Sequence, residues 1–197
     1  MRSEPSASGE DFVIGLVQMS CSENALTNLE VAEEGVRFAA HQKAQIICLP
    51  ELFTTRYFCQ EEDPENFSLA EDVRGPTTKR FCSLAAELGV VIVVPIFERR
   101  TAGIYHNSAV VIDHTGAIVG TYRKMHVPDD PKFYEKYYFS PGDSGYCVFD
   151  TPFARIGVLI CWDQWYPEAA RLMALAGAEV ILFPTAIGWL AEDRNDT

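Results

Sequence analysis

The run Val90-Val91-Ile92-Val93-Val94-Pro95-Ile96-Phe97 carries no polar side chain. A strand with one face in water alternates apolar and polar residues, so an unbroken apolar run predicts a strand whose sheet is covered on both faces. Layered α/β domains supply that cover. Further apolar strands are expected at Phe12–Met19, Gln45–Leu49, Tyr146–Phe149, Ala154–Ile160 and Glu179–Phe183, with an antiparallel hairpin, Tyr105–Ile112 and Ala117–Tyr122, around Asp113-His114-Thr115-Gly116. Ala25, Leu29, Ala32, Val36 and Ala39 recur at helical spacing after Ser22, a candidate cap. Gly75-Pro76 launches a second helix that stops at Gly89, and Pro167 opens a third that ends near Gly177.

With 197 residues, 48% of them hydrophobic and 22% charged, the chain has the makings of one globular domain, expected over 11–197 behind a polar, mobile segment 1–10. A formal net charge of −12 repels phosphate backbones and anionic lipid surfaces, which argues against nucleic-acid and membrane partners. The first ten residues hold no apolar h-region and no later run approaches the ~18 apolar residues of a span, so a cytoplasmic protein is expected. Six scattered cysteines lack the spacing of a disulfide framework, and four separated histidines without a Cys-x-x-Cys give no metal site, so neither metal nor other cofactor is expected.

Three polar residues interrupt apolar strands at their C-terminal ends: Glu51 after Gln45–Leu49, Lys124 after the second hairpin strand, and Cys161 between Ile156–Ile160 and the helix from Pro167. In open α/β sheets that edge is where ligands bind. The trio is chemically coherent, because a thiol is a weak nucleophile until deprotonated, a carboxylate can take its proton, and an ammonium lowers its pKa. Lys124 and the backbone N–H of Trp162 are also placed to stabilise an oxyanion as the helix begins.

Leu49-Pro50-Glu51, Tyr122-Arg123-Lys124-Met125-His126 and Gly157-Val158-Leu159-Ile160-Cys161-Trp162-Asp163 resemble the three catalytic blocks of the nitrilase (carbon–nitrogen hydrolase) superfamily, in family order, with the likeness running from about Phe12 to Trp189. The resemblance implies a four-layer αββα sandwich with Glu51 as general base, Lys124 as oxyanion stabiliser and Cys161 as nucleophile. It implies a second glutamate at Glu135 that positions substrate or water, against the plainer reading of a surface carboxylate paired with Lys132 or Lys136. It also implies a homo-oligomer, and a domain that continues past Thr197 through further strands and a helix.

Within the superfamily, His126–Pro131, Tyr134–Phe139 and Cys161–Glu168 are most similar to the branch that hydrolyses N-carbamoylputrescine. Branches that take N-carbamoyl amino acids place a cation just after the nucleophile, where Gln164, Trp165 and Tyr166 supply none. A small cationic carbamoyl substrate is therefore expected, its ammonium met by Asp129, Asp130 or Glu135 and by Tyr57, Trp162 and Trp165, with Gln164 nearby. Asp129 and Asp130 beside Pro131 equally fit a turn. N-carbamoyl-β-alanine, an aliphatic ω-amide, or a non-catalytic assembly role remain the alternatives.

Overall fold

A computed structural model describes residues 11–187; the expected N-terminal segment and Trp189 lie outside the described residues. In order the elements are β1 (Ile14–Leu16), α1 (Ala25–His41), β2 (Ile46–Cys48), α2 (Pro76–Leu88), β3 (Val91–Thr101), β4 (Ile104–Ile112), β5 (Ile118–Arg123), α3 (Glu135–Tyr138), β6 (Val148–Asp150), β7 (Arg155–Val158), α4 (Pro167–Leu175) and β8 (Val180–Leu182). Short 3-10 turns cover Phe58–Gln60, Pro64–Leu69 and Cys161–Trp165.

Two sheets form. One has the order β1-β2-β3-β4-β5, parallel from β1 to β3 and antiparallel from β3 to β5; the other has the order β6-β7-β8, with β6 antiparallel and β8 parallel to β7. The alternation of β3 explains its all-apolar sequence. Ile92, Val94 and Ile96 face Val36, Phe81 and Leu84 of α1 and α2, while Val91 and Val93 face Phe149, Ile156 and Val158 of the other sheet. Ala169 and Met173 of α4 close the far side of that second sheet, where Met173 Sδ would lie 3.3 Å from a Cβ at Gly157. The order of layers is therefore helices, sheet, sheet, helix, the α/β sandwich expected from sequence. Each fully buried Ile, Leu or Phe in these layers contributes about 1.5–3 kcal/mol of transfer free energy.

Two local expectations are corrected. Ser22 does not cap α1: Asn24 does, its side chain accepting from Thr27 N at 3.0 Å, while Ser22 bonds Asn28. β3 runs on to Thr101 because Glu98, buried, accepts from Arg123 and Ser108 across the sheet and keeps the ladder paired. The aromatics of Phe133–Phe139 divide: Tyr138 and Phe139 are buried with Phe58, Phe67 and Phe97, since α3 folds this stretch back onto the start of the hairpin, while Tyr137 stays exposed. Among the described residues no helix is long and apolar enough to cross a membrane.

Candidate active site

Glu51 follows β2, Lys124 directly follows β5, and Cys161 lies three residues beyond Val158 at the end of β7, so all three stand at one edge of the facing sheets. Both sharp exits from the strands show in the backbone. Leu52, next to Glu51, has φ 50° and Cys161 has φ 44°, a left-handed conformation that bulky residues seldom adopt unless their surroundings impose it.

At Cys161 the surroundings are visible. Its N–H donates to Pro184 O at 3.0 Å, tying the turn to the segment after β8. Asp163, fully buried, accepts from Ile160 N at 2.9 Å and from Tyr122 OH at 2.8 Å through Oδ2, and from His126 N at 3.0 Å through Oδ1. The turn that carries Cys161 is thus pinned to the strand end that leads to Lys124. Since the turn Cys161–Trp165 makes its own bonds only from Asp163 onward, the N–H of Trp162 is one of the donors a helix start leaves over.

Lys124 Nζ lies between two carboxylates, 2.8 Å from Glu51 Oε1 and 2.7 Å from Glu135 Oε2, and all three groups are buried. Glu51 also accepts from Asn107 Nδ2 at 2.7 Å and, through Oε2, from Ala186 N at 2.7 Å. Glu135 accepts from Tyr57 OH at 2.7 Å. An ionised carboxylate offers about four acceptor positions. Three are filled on Glu51, which leaves one for a thiol proton.

One ammonium cannot neutralise two carboxylates. Burial, and then the charge of Glu51, push Glu135 up to about 7 against the pull of Lys124 and Tyr57. Burial works against the charge of Lys124, but Glu51 and Glu135 outweigh it and hold the lysine protonated far above its usual range. Cys161 is raised above the ordinary thiol range by burial first and the Glu51 charge second, with Lys124 pulling the other way. A thiol raised in this way would need a base before it could attack.

A cavity of about 610 Å³ opens beside Glu51, lined also by Thr55, Arg56, Tyr57, Lys132 and Phe133. Among the described residues Glu51 is its one carboxylate. The structure brings Glu51, Lys124, Glu135 and Tyr57 into one hydrogen-bonded group, and the surface pairing of Glu135 with Lys132 or Lys136 is not what forms.

Other sequence expectations fail on orientation. Asp129 and Asp130 are exposed and outside the cavity lining, because the backbone of Asp130 closes a tight turn onto Phe133 N, 2.8 Å away. Trp165 is 68% exposed, and Trp162 packs edge-on against Tyr166 rather than on the cavity. Gln164 turns its Nε2 back onto Cys161 O at 2.9 Å, bracing the turn. Asn107, Asp163 and Ala186 were not anticipated as site residues; the polar run His106-Asn107-Ser108 within β4 was the one available signal for the first.

The carbon-nitrogen hydrolase family profile matches residues 13–195. An N-carbamoylputrescine amidase of Solanum lycopersicum is 52% identical over 93% of this chain and 60% of its own length. A citrullinase of Francisella tularensis is 46% identical over 89% of this chain and 61% of its own. The crystal structure of a carbon-nitrogen hydrolase from Helicobacter pylori G27 superposes with a TM-score of 0.89 at 43% identity, over 94% of this chain and 63% of that one. The chain therefore spans less than two thirds of the length of these relatives.

Proposed function

The chain belongs to the carbon–nitrogen hydrolase family, and from that premise we propose that the protein hydrolyses the terminal C–N bond of small carbamoyl compounds, with N-carbamoylputrescine as substrate and putrescine as the amine released. The observation that carries the reading is the buried Lys124 held between Glu51 and Glu135 at the mouth of the Cys161 turn. The relative from tomato supports the choice of substrate.

Cys161 Sγ attacks the ureido carbonyl as Glu51 takes the thiol proton through its one free acceptor position. The negative oxygen that forms is met by Lys124 Nζ and Trp162 N–H, fixed before the reaction begins. Glu51 returns the proton to the departing nitrogen, ammonia leaves, and a thiocarbamoyl group remains on sulfur. Water, activated by Glu51 and oriented by Glu135, cleaves that thioester-like bond to regenerate the thiol and free a carbamate, which falls apart to the amine and carbon dioxide.

Arg56 and Lys132 on the cavity wall favour a second reading, in which the tail carries a carboxylate, as in citrulline. Exposed Trp165, Leu172 and Leu175 support a homo-oligomer, and the absence of a membrane-length helix among the described residues is compatible with the cytoplasm. The test is ammonia release from carbamoyl compounds with cationic, zwitterionic and anionic tails. Cys161→Ala should abolish it in a folded protein. Turnover by that variant ends the nucleophile assignment, and preference for an anionic tail ends the choice of N-carbamoylputrescine.

A further inference from the structure

Asn107 sits in β4 between the two residues that the reaction needs oriented. Its side-chain Nδ2 donates to Glu51 Oε1 at 2.7 Å, and its backbone carbonyl accepts from Lys124 N at 2.8 Å, so one residue touches the base by its side chain and the lysine by its main chain. It is 1% exposed.

The other half of the same amide is unusual. Asn107 Oδ1 is buried and has no hydrogen-bond partner among the described residues. Orphaned buried acceptors are destabilising, and a fold that used Asn107 only for packing would do better with an apolar residue of the same shape. The orientation has one evident cause, because the reverse placement would set the amide oxygen against the carboxylate of Glu51. The side chain is held in a locally unfavourable arrangement by the charge it serves.

We propose that Asn107 is the positioning residue of the general base: it fixes the rotamer of Glu51 and, by occupying Oε1 together with Lys124, directs the unfilled acceptor of that carboxylate toward Cys161. The inference rests on the assignment of Glu51 as base. Lys124 cannot do this alone, since its ammonium is shared with Glu135, whereas the planar amide of Asn107, on a strand paired on both sides, is given to Glu51.

The experiment compares the wild type with Asn107→Asp and Asn107→Ala in steady-state ammonia release across pH 5 to 9, alongside thermal melts and the Cys161→Ala variant. The Asp substitution is isosteric and separates positioning from packing. Protonated, the new carboxyl donates to Glu51 as the amide did; ionised, it repels Glu51. Its kcat should therefore approach that of the wild type at low pH and fall at least tenfold below it as pH rises, with KM within about twofold, while Asn107→Ala loses kcat at every pH. A constant ratio of variant to wild-type kcat across the range, or losses that track the folded fraction, would overturn the inference. If the wild type itself releases no ammonia from any carbamoyl compound, it is the functional reading that fails, and the inference with it.

Discussion

Asp163 Oδ1 holds His126 twice, at 3.0 Å from its backbone N and 2.7 Å from ring Nδ1, and the ring lies flat on Tyr166 with centroids 3.7 Å apart. A carboxylate from the Cys161 turn thereby grips the loop that follows Lys124. Replacing it removes the acceptor for Tyr122 OH, Ile160 N and both groups of His126 at once. Asp163→Ala should destabilise the protein by about 3 kcal/mol or more in urea denaturation, whereas His126→Phe, which keeps the stacking, should cost less.

Cys161 should respond in opposite directions to its two kinds of neighbour. Glu135→Gln removes a negative charge that raises the thiol, so alkylation by iodoacetamide at pH 8 should speed up, by roughly tenfold for each unit the thiol falls. Lys124→Met removes the opposing charge and should slow it. Equal rates in all three proteins would mean that these charges do not reach the sulfur.

Glu135 also predicts a slope in stability against pH. Its carboxyl titrates near 4.5 in the unfolded chain and at about 7 in the folded one. Folding therefore favours its protonated form; the stability it contributes is complete below about 4.5 and is lost as pH rises through about 7. Urea midpoints of Glu135→Gln relative to wild type should rise between pH 5 and pH 8, since the variant lacks that loss. A constant offset would place the titration of Glu135 outside this window.

Gly142 donates to Lys124 O at 2.8 Å, and a Cβ there would fall 2.0 Å from the carbonyl oxygen of Arg123. No rotamer relieves a clash with main chain. Gly142→Ala should lower stability by about 1–3 kcal/mol and cut ammonia release further than the lost stability explains, because the strand end carrying Lys124 must move. Thermal melts beside initial rates separate the two effects.

Glu51, Lys124 and Cys161 were legible in the sequence because each breaks an apolar run, and a polar residue ending a buried strand has few places to go. β3 was legible for the converse reason: every residue from Val91 to Phe97 is apolar, so each had to be covered on its own face. Asp129, Asp130, Gln164 and Trp165 misled because nearness in sequence says which loop a residue occupies, not which way it points. Asn107 and Asp163 act through the register of β4 against β5 and through a turn closed by Tyr122, His126 and Ile160, relations that exist only after folding.

Glu51 and Ala186 N, joined by a 2.7 Å bond, are 135 residues apart in the chain. A ribosome adding about 5–20 residues per second needs roughly 7 to 27 seconds to travel between them. Glu51, Asn107 and Lys124 are all made, and Cys161 after them, before the Ala186 N–H, the last of Glu51's donors among the described residues, emerges. A chain still being made therefore carries the Cys161 sulfur before Glu51 has gained its Ala186 N–H donor.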